Sequence, residues 1–132
     1  MPSIFTRIIN REIPAYIVAE DDKFIAFLDV FPLAVGHVLV VPKNETDYLF
    51  DLDDDQLSGI MLFAKMVAGA LRKSVTCKRV GVAVIGLEVP HAHIHLVPLQ
   101  QIDDINFSRP KLKSEEAKLA ETAAAIRSNM PQ

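Results

Sequence analysis

Residues 90 to 98 read PHAHIHLVP and place three of the chain's four histidines at alternate positions, with proline at both ends. In a β-strand, successive side chains point to opposite faces, so alternate residues share one face of the sheet. Pro90 and Pro98 suit strand ends better than a helix interior. The histidines are His91, His93 and His95, and the residues between and after them are Ala92, Ile94 and Leu96. The stretch therefore predicts a strand over residues 89 to 97, with an imidazole row on one face and apolar residues toward the core.

Four more apolar segments, bounded by turn residues, are typical of strands. They span residues 16–19, 23–29, 37–42 and 79–86. The first two are separated by an acidic turn and predict a hairpin. The last is expected to join the histidine strand tightly around Gly86.

Two helices are predicted after the third strand. The first begins near Asp53, with Gln56 placed three residues later as in a capping box. Its apolar residues repeat at helical spacing and predict a buried face: Ile60, Phe63, Ala64, Val67, Ala68 and Leu71. The second helix runs from Ser114 to about Arg127, after an aperiodic surface crossing over residues 100–113. Together these elements predict an α+β fold, a five-stranded antiparallel meander with one long helix and a carboxy-terminal helix.

Length and charge limit the classes of protein that fit this sequence. The 132 residues, of which 50% are hydrophobic, suit one domain, with a core over residues 3–99 and a carboxy-terminal extension over 100–132. Fourteen basic and seventeen acidic residues give a net charge of −3 without a basic block. That balance argues against a nucleic-acid polymer as ligand, and a small anionic ligand remains compatible with it.

The cysteine content and the amino-terminal stretch bear on location. The single Cys77 can form neither an internal disulfide nor a cysteine-based zinc motif. Charged and polar residues interrupt the first fourteen residues, so neither a signal peptide nor a membrane-spanning helix is expected there. We expect a cytoplasmic protein without a membrane partner.

Three imidazoles on one face allow two kinds of chemistry. Packing histidines together removes water from them and makes joint protonation costly, which keeps rings neutral near pH 7. A neutral imidazole can act as a nucleophile or as a metal ligand. The residues alone leave open whether these histidines act as a nucleophile or as metal ligands.

A resemblance favours the nucleophile. His91-Ala92-His93-Ile94-His95-Leu96-Val97 resembles the signature of the histidine triad (HIT) family, in which histidines alternate with apolar residues. The segment IFTRIINREIPAYIVAEDDKFIAFLDVFPLAVGHVLVVPK, residues 4–43, is similar to the amino-terminal half of that family. The resemblance covers residues 3–99 and implies a HIT-like fold.

The resemblance assigns roles to the four histidines. It implies that His93 attacks the α-phosphorus of a nucleoside 5′-phosphoryl compound and forms a nucleotidyl-histidine that water hydrolyses. The backbone carbonyl of His91 then holds the other ring nitrogen of the nucleophile, and His95 donates to the phosphate or leaving group. His37 matches a fourth family histidine beside the triad.

The same resemblance implies a nucleoside pocket. Asp29 matches the acidic residue that accepts both ribose hydroxyls, a task suited to a carboxylate. Six residues match the family's base pocket: Ile4, Phe5, Ile8, Phe27, Leu28 and Val30. Glu88 lies where some relatives carry a hydroxyl residue, and a carboxylate near the phosphate repels it unless it points away or binds a leaving-group amine.

The sequence also departs from the family pattern. Relatives of the Hint-like branch carry an Asn-x-Gly segment before the triad and a glutamine after the glycine. Here the stretch reads VGVAVIGLEVPH, with Leu87 in place of glutamine and no asparagine. Fewer polar contacts to the phosphate are expected, which leaves the leaving-group preference open.

The implied activity is a nucleotide hydrolase or transferase acting on purine nucleoside 5′-phosphoramidates, without cofactor or metal. The alternatives are a dinucleoside polyphosphate hydrolase, a non-catalytic nucleotide-binding protein and a metal-binding protein. The resemblance also implies a homodimer with a ten-stranded sheet. Its interface is expected to use the long helix, through Met61, Ala64, Ala68 and Leu71 with Gly59 and Gly69, and Arg109 is expected to reach the partner's pocket.

Overall fold

The computed structural model describes residues 2–131, which form a five-stranded antiparallel sheet and three α-helices. The strands are β1 (Ile17–Glu20), β2 (Phe24–Leu28), β3 (Val38–Pro42), β4 (Arg79–Ala83) and β5 (Ile94–Leu99). The helices are α1 (Ile4–Ile9), α2 (Asp54–Ser74) and α3 (Glu116–Ser128), with 3-10 turns at Leu49–Asp51 and Ile102–Ile105. The predicted α+β class, the long helix and the carboxy-terminal helix are confirmed.

The order of the strands differs from the predicted meander. It is β1-β2-β3-β5-β4, so β5 lies between β3 and β4. Residues 94–98 of β5 are all buried, whereas β4 is partly exposed along its length. Strand β5, which is apolar apart from His95, therefore takes an interior place, and the strand that carries Arg79 takes the edge.

Helix α2 forms as the capping pattern and the spacing of its apolar residues predicted. The Asp53 carboxylate accepts a hydrogen bond of 2.8 Å from the backbone N–H of Gln56 and so caps the first turn. The buried residues of the helix are Ile60, Phe63, Ala64, Val67, Ala70 and Leu71. They pack with α3 on one face of the sheet, where Ala70 is buried and Ala68 is only half-buried.

Helix α1 covers part of the opposite face and was not predicted. Ser3 caps it by accepting a hydrogen bond from the backbone N–H of Thr6. Phe5 and Ile8 pack on this face with Ile25, Phe27, Leu39 and Val41. This small second core encloses the face of the sheet that carries the histidines.

The histidine stretch is less regular than the predicted strand. Its apolar residues Ala92, Ile94 and Leu96 join the core beneath α2, as the alternation predicted. However, β5 begins only at Ile94 and β4 ends at Ala83, so residues 84–93 form a long connection rather than a tight turn. The backbone N–H of Ala92 donates to the carbonyl of Thr46, which lies outside the sheet. This bond takes the place of a strand-to-strand hydrogen bond.

The surface proposed for dimerisation needs correction. Ala64 and Leu71 are 3% and 0% exposed and belong to the core of their own subunit, so they cannot form a partner surface. The apolar side chains that α2 exposes are Met61, Leu62 and Met66.

Within residues 2–131, no helix combines the length and apolar character required to cross a bilayer.

Candidate active site

His93 is held in one tautomer by the chain itself. Its Nδ1 lies 2.7 Å from the backbone carbonyl oxygen of His91, which can only accept, so Nδ1 carries the hydrogen. In the neutral ring, Nε2 then keeps its lone pair. The ring is 7% exposed and lies edge-to-face against Phe5, with their centroids 5.0 Å apart. His93 therefore has a fixed ring, and Nε2 is the nitrogen that its neutral form offers as a nucleophile.

His91 is anchored at both ring nitrogens. Its Nε2 lies 2.7 Å from the carbonyl oxygen of Pro42, and its Nδ1 lies 2.6 Å from Oγ of Ser3. The carbonyl requires a donor at Nε2, so Nδ1 of the neutral ring accepts the Ser3 hydroxyl hydrogen. The side chain is fully buried, and burial lowers the pKa of His91. The residue whose carbonyl orients His93 is thus fixed in place.

Ser3 links this anchor to α1 and to the loop after β3. Its Oγ caps α1 while its backbone N–H donates to Oε1 of Glu45 at 2.7 Å. The hydroxyl of Thr6 donates to the same carboxylate oxygen. Ser3 was not among the predicted site residues, although Ile4, Phe5 and Ile8 of α1 were, and a serine before an apolar run is a recognisable cap signal.

His37 and His95 form a directed chain of hydrogen bonds. The backbone N–H of Leu33 donates to Nδ1 of His37 at 3.0 Å, so the hydrogen of the neutral His37 ring sits on Nε2. That Nε2–H donates to Nδ1 of His95 at 3.0 Å. The neutral His95 ring consequently carries its hydrogen on Nε2, beside His93, whose ring centroid is 4.9 Å away.

Burial keeps both rings of this chain uncharged at neutral pH. It lowers the pKa of His37 to about 3, with a smaller contribution from His95. It also lowers the pKa of His95 to about 4, with His93 contributing less. His95 is therefore suited to donate a hydrogen bond at pH 7 rather than to carry a positive charge.

Asp29 lies directly after β2 and is close to His37. Its Oδ1 accepts a hydrogen bond of 2.9 Å from the backbone N–H of Phe31, and its Oδ2 lies 3.8 Å from Nε2 of His37. Burial raises the pKa of this carboxyl above its usual value. Oδ2 has no hydrogen-bond donor among residues 2–131, so it is available to a ligand.

The predicted base-pocket residues divide into three groups. Phe5, Ile8 and Phe27 pack together beneath the histidine face and are nearly inaccessible. The Leu28 side chain packs in the core with α2 and α3, and its place in a base pocket stays a prediction. Ile4 and Val30 are about half exposed, and Phe31, which was not predicted as a site residue, is 68% exposed.

Glu88 lies in the exposed connection between β4 and β5. It makes no hydrogen bond or ion pair with the triad within the described part of the chain. Its charge is one of the smaller influences on the pKa of Asp29, which burial dominates. Leu87 beside it is 88% exposed, so the departure from the family pattern lies in solvent.

The segment 100–113 lies over the histidines of its own subunit. The Phe107 ring lies edge-to-face with His95, their centroids 4.6 Å apart, and is 6.1 Å from the His37 ring. Arg109, which was expected to reach toward a partner, instead pairs with Asp103 and Asp104 of the same segment. An aperiodic stretch gave no signal by which Phe107 could be placed from sequence.

Asp29, His37 and His95 also bring three potential metal-ligand atoms within 4.8 Å of one another. The hydrogen bond from Leu33 opposes this use. A cation on Nε2 of His37 would displace the ring hydrogen and leave an imidazolate, or would require the Leu33 bond to break. The arrangement favours a hydrogen bond between the two histidines over a bound metal ion.

Comparisons with known proteins agree with this geometry. The model of the HIT domain matches residues 10–102. A HIT-like protein of Borreliella burgdorferi is 36% identical and is aligned over 96% of this chain and 97% of its own. The adenosine 5′-monophosphoramidase HNT1 of Saccharomyces cerevisiae is 36% identical over 72% of this chain and 61% of its own.

Solved structures show the same architecture. A HIT-like protein of Bartonella henselae, described as involved in cell-cycle regulation, superimposes with a TM-score of 0.84 at 30% identity, over 97% of this chain and 96% of that one. A zinc-bound histidine triad family protein of Mycobacterium smegmatis gives 0.81 at 26% identity, over 96% and 91%. The fold, the four histidines and these similarities agree, and the chain belongs to the HIT family.

Proposed function

We propose that this protein is a nucleotide hydrolase or transferase that acts on purine nucleoside 5′-phosphoramidates through a nucleotidyl-histidine intermediate. The observation that carries the proposal is the 2.7 Å contact between Nδ1 of His93 and the carbonyl of His91. It fixes the ring and places the hydrogen of neutral His93 on Nδ1, so that Nε2 of the neutral ring carries the lone pair that a histidine nucleophile requires. Family membership and the phosphoramidase of yeast support a nucleotide-related hydrolase.

The first chemical step forms the intermediate. Nε2 of His93 attacks the α-phosphorus, and the bond from phosphorus to the leaving nitrogen breaks. The leaving nitrogen keeps the electron pair and takes up one proton from solvent, so the amine leaves uncharged. The Nε2–H of His95 donates a hydrogen bond to the phosphoryl oxygen or leaving atom, because its Nδ1 is already occupied by His37.

The second step returns the enzyme to its starting state. A water oxygen attacks phosphorus, and the bond to His93 breaks with its electrons returning to Nε2. The water releases one proton to solvent, which balances the proton taken up in the first step. Throughout, the carbonyl of His91 supports the Nδ1–H of His93 and stabilises the positive charge of the phosphorylated ring.

The nucleoside is expected to bind beside this row. Oδ2 of Asp29 accepts the ribose hydroxyls while Oδ1 stays with the N–H of Phe31. Ile4, Val30 and Phe31 supply exposed apolar surface for a flat purine. Phe5, Ile8 and Phe27 support that surface from below.

The decisive experiment is incubation with adenosine 5′-phosphoramidate, followed by acid quench and intact-mass measurement. The wild-type protein should gain one adenylyl group transiently and release AMP. His93→Ala should lose both, with turnover reduced about a thousandfold or more and an unchanged circular dichroism spectrum. Equal turnover by the variant would reject His93 as the nucleophile.

A dinucleoside polyphosphate is the second candidate substrate, because the same attack by His93 would expel a nucleotide instead of an amine. Nucleotide binding without turnover of either compound would indicate a non-catalytic nucleotide-binding protein.

We also propose a homodimer formed through the exposed edge of β4 and through Leu62 and Met66 of α2. A reducing compartment such as the cytoplasm suits the single, partly buried Cys77.

A further inference from the structure

The carboxy-terminal segment brings an aromatic ring and an ammonium group to the His95 side of the site. The Phe107 ring lies against His95, and Nζ of Lys111 lies 5.8 Å from the centroid of the Phe107 ring. The backbone N–H of Leu112 donates to the carbonyl of Pro32 at 2.8 Å, which ties this segment to the loop between β2 and β3. Residues 107–112 therefore form a wall of the site.

The charge of Lys111 is not neutralised by a carboxylate. Its Nζ donates to two neutral groups, the backbone carbonyls of Phe107 at 2.7 Å and Arg109 at 3.3 Å. An ammonium has three hydrogens, so one remains for a ligand. Over residues 2–131, no acidic side chain pairs with Lys111, whereas Arg109 is paired with Asp103 and Asp104.

The positive charge of Lys111 reaches the candidate active site. After burial, it is one of the influences that lower the pKa of His37 and of His95, and it acts in the same direction on Asp29. His37 and His95 are themselves uncharged at neutral pH. On the leaving-group side, Lys111 is therefore the cation that the described residues offer to an anion.

We propose that Lys111 recognises a negatively charged group on the leaving group, so that the protein prefers nucleoside 5′-phosphoryl substrates whose leaving group carries a carboxylate or phosphate. This inference rests on the proposed function, because it takes His95 to mark the leaving-group side. The wall formed by Phe107 directs that group along the ring toward Lys111. A cationic leaving group would be repelled by the same ammonium.

A matched pair of substrates tests the proposal. One is the adenosine 5′-phosphoramidate of 4-aminobutyrate and the other is the corresponding amide, which differs only in lacking the negative charge. In the wild-type protein, kcat/KM should be about fivefold or more higher for the acid than for the amide. Lys111→Met should remove that preference, and Lys111→Arg should retain most of it.

Arg109→Met is the control, because it removes a cation from the same segment that is already paired. It should leave the acid-to-amide ratio unchanged. If Lys111→Met slows both substrates equally, Lys111 only supports the segment, and the proposal is wrong. No preference for the acid in the wild-type protein would also overturn it.

A binding measurement separates failure of this inference from failure of the proposed function. The dissociation constants of two ligands are measured. AMP has no charged group beyond the α-phosphate, and α,β-methylene ADP has one. If both bind and Lys111→Met leaves their ratio unchanged, only the role of Lys111 fails. If neither ligand binds to the wild-type protein, the proposed function fails and this inference fails with it.

Discussion

Oγ of Ser3 lies 2.6 Å from Nδ1 of His91, across a sequence separation of 88 residues. The hydroxyl serves two partners, since it also accepts the N–H of Thr6 at the start of α1. The carbonyl of His91 in turn receives the Nδ1–H of His93. Ser3 is therefore positioned to act on the nucleophile through His91.

Ser3→Ala should lower both stability and activity. The helix cap contributes about 1 kcal/mol and the bond to buried His91 about another 1 kcal/mol to the free energy of unfolding. Loss of the anchor should reduce kcat more than it raises KM. Urea unfolding and steady-state kinetics measure the two effects.

Ser3→Thr supplies the matched test, because it keeps a hydroxyl that can cap and donate. It should recover most of kcat. Ser58→Ala, on the exposed surface of α2, should change neither quantity. If Ser3→Ala lowers stability while kcat stays at the wild-type value, Ser3 has only a structural role.

The stability of the protein should fall as the pH is lowered below about 6.5. The unfolded chain binds protons at its histidines in that range, while His37 and His95 stay neutral in the folded protein until the pH reaches their lowered pKa values, about 3 and about 4. Within this window, each such ring lowers the free energy of unfolding by about 1.4 kcal/mol for every unit by which the pH falls. The raised pKa of Asp29 acts in the opposite sense.

His37→Gln isolates one ring from these opposing effects. The free energy of unfolding of the variant should depend less steeply on pH between 6 and 4 than that of the wild-type protein. Urea titrations at a series of pH values give the two slopes. Identical slopes would mean that His37 is not held neutral by burial.

Asp29→Ala should weaken nucleotide binding through the ribose. Loss of the hydrogen bonds from two hydroxyls to the carboxylate should raise the dissociation constant of AMP about tenfold or more. The 2′,3′-dideoxy analogue lacks both hydroxyls and should be affected less. Calorimetry on both ligands decides the point, and an equal loss for both would argue against a ribose contact.

Activity should survive removal of metal ions. The His91 carbonyl keeps the ring hydrogen of neutral His93 on Nδ1, so Nε2 can attack without a metal ion, and the Leu33 hydrogen bond disfavours a cation at His37. Turnover after exhaustive dialysis against EDTA should therefore equal that of the untreated protein. Activity lost to EDTA and restored by zinc would favour the metal-binding alternative.

The protein should be a dimer in solution. Light scattering should give twice the mass of the 14.6 kDa chain. Leu62→Glu, at a residue 65% exposed on α2, should shift the mass to that of one chain, while Phe50→Glu, at a residue 68% exposed outside α2 and β4, should not. A wild-type mass near 14.6 kDa would reject the dimer.

Local patterns in the sequence predicted much of the fold. Alternation placed His95 and its neighbours on the correct faces, and the repeat from Ile60 to Leu71 gave α2 together with its cap at Asp53. These features are decided within a few residues of chain, by side-chain spacing and by capping groups. The roles of the four histidines came from the family resemblance and stay predictions.

Other features depend on distant parts of the chain and could not be predicted. Helix α1 has six residues and is held by Glu45 and His91 rather than by its own propensity. The place of β5 between β3 and β4 depends on which strand becomes buried when the sheet forms. Phe107 lies in an aperiodic segment, and only its contact with His95 identifies it.

The pairing of β5 with β3 has a consequence for when the two hydrogen-bonded histidines meet during folding. His37 and His95 are 58 residues apart in sequence, and their rings meet only after β3 and β5 have paired. Contacts of such separation form late, because closing a long loop costs entropy before the contact is gained. Until then, His95 lacks the hydrogen bond that fixes its tautomer, and its ring hydrogen can exchange between both nitrogens. A newly synthesised chain thus gains its oriented hydrogen-bond donor at His95 only when β3 and β5 pair.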